Sequence, residues 1–436
     1  MAREVPLVIA EKSLKEAERG ALADSFLRLK HLPEAVSILL ENVPGPIARE
    51  ETLRVIDALG RVVADDIFSP EDLPGFDRSS MDGFAVRAED TFGASEGLPA
   101  YLELAGEVLM GRRDEVPVGA GKAVRISTGG FMPDGADAVV MVENTETSGS
   151  TVEVVKGVAP GENTIKRDED IARGDLLVAR GQAVGPAQIG ALAGVGVDEV
   201  RVVALPMVGI ISTGDEVVPS GEKPAPGQVR DVNSPALAAS LLRAGCEPRM
   251  YGIVSDDLDA LLEATRRALG ECDALLISGG SSAGLRDMTL AVLEQLGEPG
   301  VLAHGIYLKP GKPTLIAVSG GKPVIGLPGN PASALAVFRE LFIPALAKLR
   351  GEEPGLEIRA PRVIEAVIDR SVSSPAGRVE LVPVSLKLTD EGMIASPILG
   401  KSNLIGTLSR ARGQVRVPLG SEGVEQGQPV IVELLE

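Results

Sequence analysis

From Met207 onward, short apolar runs alternate with amphipathic stretches, and this rhythm constrains the fold more than any other feature of the chain. Strand-like runs at Met207–Ile211, Arg249–Val254 and Ala274–Ser278 are interleaved with helical patterns at Pro235–Ala244, Asp257–Leu269 and Asp287–Leu296. Alternation of this kind predicts βαβ units and a parallel, doubly wound sheet. In such sheets ligands bind beyond the carboxyl ends of the strands.

The polar, glycine-rich segments fall at those ends. Ser212-Thr213-Gly214-Asp215-Glu216 follows the first strand, and Ser278-Gly279-Gly280-Ser281-Ser282-Ala283-Gly284 follows the third and leads to Asp287. Two further strands, Thr314–Val318 and Pro323–Leu327, carry Lys309-Pro-Gly-Lys-Pro313 and Leu327-Pro328-Gly329-Asn330-Pro331 at their ends. The second of these loops opens into a helix that runs to about Leu349, with Pro344 as an expected kink. Proline fixes φ and glycine allows close backbone approach, so such loops are rigid and can press N–H groups against a ligand. A helix N-terminus adds positive dipole, and Lys309 and Lys312 add two full charges, so the combination suits an anion. The Ser278–Ser282 loop reads either as a phosphate cradle or as a tight turn capped by Ser and Asp. Asp215, Glu216 and Asp287 beside an anion imply a hard cation such as Mg²⁺ between them, unless they are helix caps. At least one of Asp256 and Asp257 is expected to cap the helix that follows.

Composition sets the remaining bounds. At 436 residues, roughly three domains are expected on a ~150-residue prior. A net charge of −19 disfavours nucleic acid and anionic membranes as partners, which sharpens the meaning of the two lysines. No apolar run approaches the ~20 residues of a membrane helix. Met1–Lys12 lacks a basic region followed by an apolar core, so no signal peptide is expected. Cys246 and Cys272 give no disulfide framework and fit a reducing cytoplasm. With His31 and His304 the only histidines, a His-ligated transition metal is nearly excluded. Upstream, His31–Val43, Thr52–Leu59 and Ile189–Val195 read as helices, and Ala123–Ser127, Ala138–Val142 and Thr151–Lys156 as strands. After Gly351–Pro354 the chain turns to strands again at Arg362–Ile368, Val379–Leu388, Gln414–Pro418 and Val430–Leu434. Taken alone, the Met81-Asp82-Gly83 segment and Thr128-Gly-Gly130 read as turns.

Taken together and in order, the motifs say more. FDRSSMDGFAV at 76–86, RISTGGFMPDGADAVVMVE at 125–143, EDI at 169–171, STGDEVV at 212–218, SGGSSAGLRD at 278–287, KPGKP at 309–313 and GLPGNPASAL at 326–335 resemble the MoeA-type molybdopterin molybdenumtransferases, the family of the gephyrin E domain. GR at 377–378 and GK at 400–401 also fit, and the likeness runs from about residue 31 to the end. It implies an α/β multidomain protein whose doubly wound MogA-like domain spans 204–350 and binds molybdopterin. A helical extension at 1–30, a dimerisation or linker domain at 31–66 plus 166–203, a β-rich domain at 67–165 and a small C-terminal β-barrel or sandwich at 351–436 complete the expectation.

The implied activity is insertion of molybdenum from molybdate into adenylylated molybdopterin with release of AMP, assisted by Mg²⁺, in a cytoplasmic homodimer. A MogA-type adenylyltransferase is an implied partner. By motif, Asp82, Thr128, Glu216, Asp256 and Asp287 take catalytic places, with Asp215, Glu216 and Asp287 on the Mg²⁺ side. Ser278, Gly279, Gly280, Ser281, Ser282, Pro328, Gly329, Asn330 and Pro331 join Asp215 in binding substrate, while Lys309, Lys312, Pro313, Ser333 and Arg378 resemble the positions that hold molybdate. The family also implies that each site lies between the α/β domain of one subunit and the Met-Asp-Gly region of the other. Two positions depart from bacterial members. Gly305, preceded by His304, stands where a Lys is common, and Arg412 stands before Gly413 in place of Asn or Asp. Tungstate insertion, a MogA-like adenylyltransferase activity and a gephyrin-like scaffold remain alternatives.

Overall fold

The computed structural model describes residues 29–113, 116–279, 283–352, 362–400 and 405–435. At its centre is a six-stranded sheet built from β1 (Met207–Thr213), β2 (Glu247–Val254), β3 (Ala274–Gly279), β4 (Pro299–His304), β5 (Leu315–Ser319) and β6 (Lys322–Leu327), in the order β2-β1-β3-β6-β5-β4. The first four strands in that order are parallel, as the alternation predicts. The far edge is antiparallel because Gly320 and Gly321, both at positive φ, turn β5 straight back into β6. Strand β4 was not foreseen from the sequence.

Burial on both faces explains the near-continuous apolar strands. Val208, Ile210 and Leu276 pack on one side, while Ile211, Leu275 and Ile277 pack on the other, as a period of two requires. Helices α1 (Asn233–Arg243), α2 (Leu258–Glu271) and α3 (Ala283–Leu293) cover the sheet. Asp257 caps α2 by accepting from the Ala260 N–H at 2.9 Å. Helix α3 starts at Ala283, so Asp287 is its fifth residue and not its cap. Helix α4 (Pro331–Val337) passes through a π-turn, Phe338–Phe342, into α5 (Ile343–Leu349). Pro344 sits where the pitch changes, and the wider turn absorbs the N–H that proline lacks.

The helix Leu32–Asn42 joins this same core: Leu32, Ala35 and Leu39 pack with Ile316, Val318 and Leu346. That segment therefore shares its core with the α/β domain and not with 166–203. The expected helix at Thr52–Leu59 is instead a strand, Glu50–Arg54, paired antiparallel with Glu199–Val203 and followed by the 3₁₀ turn Val55–Ala58. Pairing with a distant strand overrides local helical spacing there. Between these pieces a second six-stranded sheet runs in the order Ala138–Met141, Gly83–Val86, Lys122–Ile126, Ala100–Glu107, Thr151–Val154, Thr145–Ser148.

The C-terminal strands β7 (Val363–Ile368), β8 (Val379–Thr389), β9 (Gly392–Pro397), β10 (Gly413–Val417) and β11 (Pro429–Leu434) form a closed ring, β8-β9-β7-β11-β10 and back to β8. It is a barrel and not a sandwich, because β8 is long enough to pair with both β9 and β10. Leu308–Lys309 adds in parallel to the start of β8, so the α/β domain lends the barrel a strand. No helix among the described residues is long and apolar enough to cross a membrane.

Candidate active site

The strand borrowed by the barrel creates the site. Lys309 lies opposite Glu380 in the parallel ladder, and the two chains diverge beyond it. Between them opens a cleft of about 660 Å³ lined by Lys309, Lys312, Pro313, Pro328, Asn330, Ser333 and Arg378, among others. One wall is the pair of Pro-Gly loops; the other is the barrel. Gly311, at φ +133°, lets the first loop press on α4, since a Cβ there would meet Val337 Cγ2 at 2.8 Å. Seven residues expected to contact substrate thus come together from sequence positions as distant as Lys309 and Arg378.

Arg378 is the most telling of them. Its Nε is buried and has no hydrogen-bond partner, although it belongs to a side chain with five potential donors. A buried donor left unpaired costs on the order of 1–3 kcal/mol, so such a group signals a missing acceptor. Lys309, by contrast, is engaged by Glu380 Oε1 at 2.6 Å, and the second oxygen of Glu380 accepts from Ser374 Oγ at 2.7 Å. Sequence reading passed over Glu380 and Ser374. The barrel was expected as a separate unit, and only the Leu308–Val379 register brings its first strand to the loop.

At the ends of β1 and β2 the polar groups bond chiefly to one another. Asp256 accepts from Thr213 Oγ1 at 2.9 Å and from the Asp215 N–H at 3.2 Å, while Asp215 accepts from the Asp256 N–H at 3.1 Å. This reciprocal clasp ties the β1 loop to the β2 loop. Glu216 folds back over Gly214, near enough that a Cβ there would sit 2.7 Å from its Oε2. Asn233, not foreseen, donates from Nδ2 to Ser278 Oγ at 2.8 Å and to the Gly329 carbonyl at 2.9 Å. It stitches the end of β3 to the second Pro-Gly loop. Gly279 ends β3, Pro331 opens α4, and Gly280, Ser281 and Ser282 lie outside the described residues.

The acidic residues expected on the Mg²⁺ side do not form a cage of their own. Among the described residues no three acidic, histidine or cysteine side chains gather around a point. The clasp occupies both oxygens of Asp256 and one of Asp215, and Asp287 is exposed on α3. Mg²⁺, however, commonly takes only one or two carboxylates and completes its shell with water and substrate phosphate. The remaining oxygen of Asp215, with Glu216 and Asp287, fits a metal brought with phosphate better than one held in a protein cage.

In the β-rich sheet, Asp82 and Thr128 do meet. Asp82 Oδ1 accepts from the Thr128 N–H at 2.7 Å and from Thr128 Oγ1 at 3.1 Å. Both residues are exposed, and no residue of 67–165 lines the cleft.

Comparison with known proteins agrees with this architecture. Residues 30–196 match the MoeA N-terminal region, domains I and II; residues 209–348 match the model described as probable molybdopterin binding domain; residues 365–435 match the MoeA C-terminal region, domain IV. The fold is that of a molybdenum cofactor biosynthesis protein. The molybdopterin molybdenumtransferase of Bacillus subtilis is 35% identical over 392 residues, covering 88% of this chain and 90% of its own. That of a Nostoc species is 32% identical over 408 residues, 92% of each chain. The crystal structure of a MoeA molybdopterin biosynthesis protein from Pyrococcus horikoshii is 37% identical, with a TM-score of 0.77 over 94% of this chain and all of that one. The chain belongs to the MoeA-type molybdopterin molybdenumtransferase family, and is a transferase of molybdenum cofactor biosynthesis.

Proposed function

We propose that the chain inserts molybdenum, supplied as molybdate, into adenylylated molybdopterin and releases AMP. The observation that carries this reading is the unpartnered Arg378 Nε in a cleft that also holds Lys309 and Lys312, within a protein of strongly negative charge. A tetrahedral oxyanion would meet Arg378, Lys312 and Ser333 there, with the Pro313 turn setting its distance. Ser278, Gly279 and the Pro328–Pro331 loop would cradle the pterin phosphate at the sheet edge, helped by the start of α4. The lysines and Arg378 stabilise charge that builds up as the phosphate–AMP bond breaks. Mg²⁺ bound with the substrate phosphates would neutralise further charge, and Asp215, Glu216 and Asp287 are the residues to hold it.

The exposed Asp82–Thr128 corner lies outside the lining of the cleft, which favours a homodimer in which it faces the cleft of a second copy. A MogA-type adenylyltransferase, or any enzyme that adenylylates molybdopterin, would supply the substrate in the cytoplasm. The test is AMP release from adenylylated molybdopterin with and without molybdate. Release that needs molybdate supports insertion; release that needs tungstate instead changes the metal alone. ATP consumption on molybdopterin without either oxyanion would replace the reading with adenylyl transfer. Tight pterin binding with no AMP release under any of these conditions would favour a scaffold.

A further inference from the structure

One group in the cleft has the wrong sign for an anion site. Glu380 lines it, is only 8% exposed, and cannot turn away, because one oxygen holds Lys309 and the other is held by Ser374. Ser374 is itself 2% exposed, so the carboxylate is anchored from behind. The pairing is dictated by the fold: Lys309 and Glu380 are register partners where the α/β domain lends its strand to the barrel. Arg378 and Glu380 alternate about Val379, so the anchor for an anion and the carboxylate opposing it stand two residues apart on one strand edge.

We infer that Glu380 is a positioning residue that holds Lys309 as a counter-charge, leaving Arg378 to make the direct contact with the oxyanion. This rests on the reading of the cleft as an oxyanion site and assigns its internal division of labour. In binding the oxyanion, the Lys309 ammonium serves chiefly to cancel Glu380. Its removal leaves an uncompensated, buried carboxylate beside the anion, which repels it. Removal of Glu380 alone releases Lys309 toward the anion and tightens the site. Moderate affinity is what a transfer enzyme requires, since the oxyanion must leave the protein for the pterin sulfurs.

The inference separates cleanly from direct ligation by Lys309 in a double-mutant cycle read by calorimetric titration with molybdate on the full chain at fixed ionic strength. Lys309→Met is expected to weaken molybdate binding by at least tenfold, and Glu380→Gln to tighten it several-fold, as expected for unpairing a close charge pair. The double variant Lys309→Met/Glu380→Gln should return to within about threefold of wild type, because the isosteric amide leaves nothing to cancel. Rescue of this kind supports the inference. A double variant as weak as Lys309→Met makes Lys309 a direct ligand and overturns it. Thermal unfolding checks that each variant is folded, and Lys309→Gln replaces Lys309→Met if the latter is not. If wild type itself binds no molybdate, the oxyanion reading fails and this inference fails with it. Wild-type binding that Arg378→Ala abolishes, without rescue in the double variant, sinks the inference alone.

Discussion

The two ends of the parallel strand edge are built on opposite principles. Beside β1 and β2, both oxygens of Asp256 and one of Asp215 are spent on each other's backbone N–H groups and on Thr213, so the clasp between the two loops is complete without a ligand. Beside β6 and the barrel, Arg378 Nε is buried and unpartnered in a cleft of about 660 Å³. Satisfied polar groups hold shape, whereas an unsatisfied donor that opens on a cleft is available to a ligand. Both corners use residues that a motif would label functional. Only the bonding state of each atom tells the scaffold from the receptor.

If that distinction is right, the largest loss comes from the incomplete end. Arg378→Ala should lower molybdate-dependent AMP release by 10²-fold or more, on the scale of ~3 kcal/mol for removing a preorganised charge stabiliser. Its melting temperature should hardly move, because the guanidinium has no internal bond to lose. Arg378→Lys should recover little of the rate, since a single ammonium cannot reproduce the planar fork. A destabilised Arg378→Ala with a normal rate would turn the comparison upside down.

The Asp82–Thr128 corner tests whether a satisfied pair can still serve catalysis from another subunit. Asp82→Ala is expected to cost roughly 10–10²-fold in AMP release, the range of a single positioned acid–base or polar group, with stability almost unchanged because the residue is exposed. Co-expressing Asp82→Ala with Arg378→Ala should restore part of the activity if each site draws on two chains. Mixed oligomers with no gain in rate would confine each site to one subunit.

Asp256 is the sharper probe of the complete end. Asp256→Ala unmakes two hydrogen bonds and frees the β1 loop, so about 1–2 kcal/mol of stability should be lost, with a fall in AMP release of tenfold or less. The dependence of the rate on Mg²⁺ concentration should keep its midpoint. A variant with wild-type stability and a midpoint shifted several-fold would recast Asp256 as a metal ligand and erase the contrast between the two ends.

How legible all this was depends on the range of the interaction. Five of the six strands of the central sheet could be read from apolar runs, and the Pro-Gly loops from φ preferences, because both are local. That one of Asp256 and Asp257 caps α2 could be read for the same reason, and it is Asp257 that does so. What escaped was set by distant pairing. Thr52 looked helical until Arg201 supplied a strand partner. The alternative reading of Asp287 as a cap fell because α3 starts four residues earlier. Glu380 carried no signal in its own segment, since its importance comes from the register with Lys309. Motif order pointed to Arg378, but no sequence pattern could say that its Nε is left without an acceptor.

The smallest effect concerns what holds the second wall of the cleft in place. Barrel and α/β domain are joined through Glu340, which accepts from Arg416 at 2.9 Å and from Gln414 at 3.3 Å; Glu433, within the barrel, holds both donors in place, accepting from Arg416 at 2.8 Å and from Gln414 at 2.7 Å. Burial pushes the Glu433 carboxyl up, but the hydrogen bonds from Arg416 and Gln414 and the charges of Arg416 and Arg339 outweigh it, and the group ends below the ordinary carboxylate value. A carboxylate depressed in the folded state contributes stability that is fully present above its unfolded pKa of ~4.3 and is lost as pH falls through the lower, folded value. Acid should therefore loosen the junction below about pH 4, while neutral and mildly basic pH should leave it intact. Glu433→Gln is expected to cost about 1 kcal/mol at pH 7, the scale of one net hydrogen bond, and to flatten the acid limb of the unfolding profile. Urea unfolding at pH 7 and pH 3.5 provides the check. An acid limb as steep in the variant as in wild type would move the titrating group elsewhere and leave the barrel joined to the α/β domain chiefly by the Leu308–Lys309 strand.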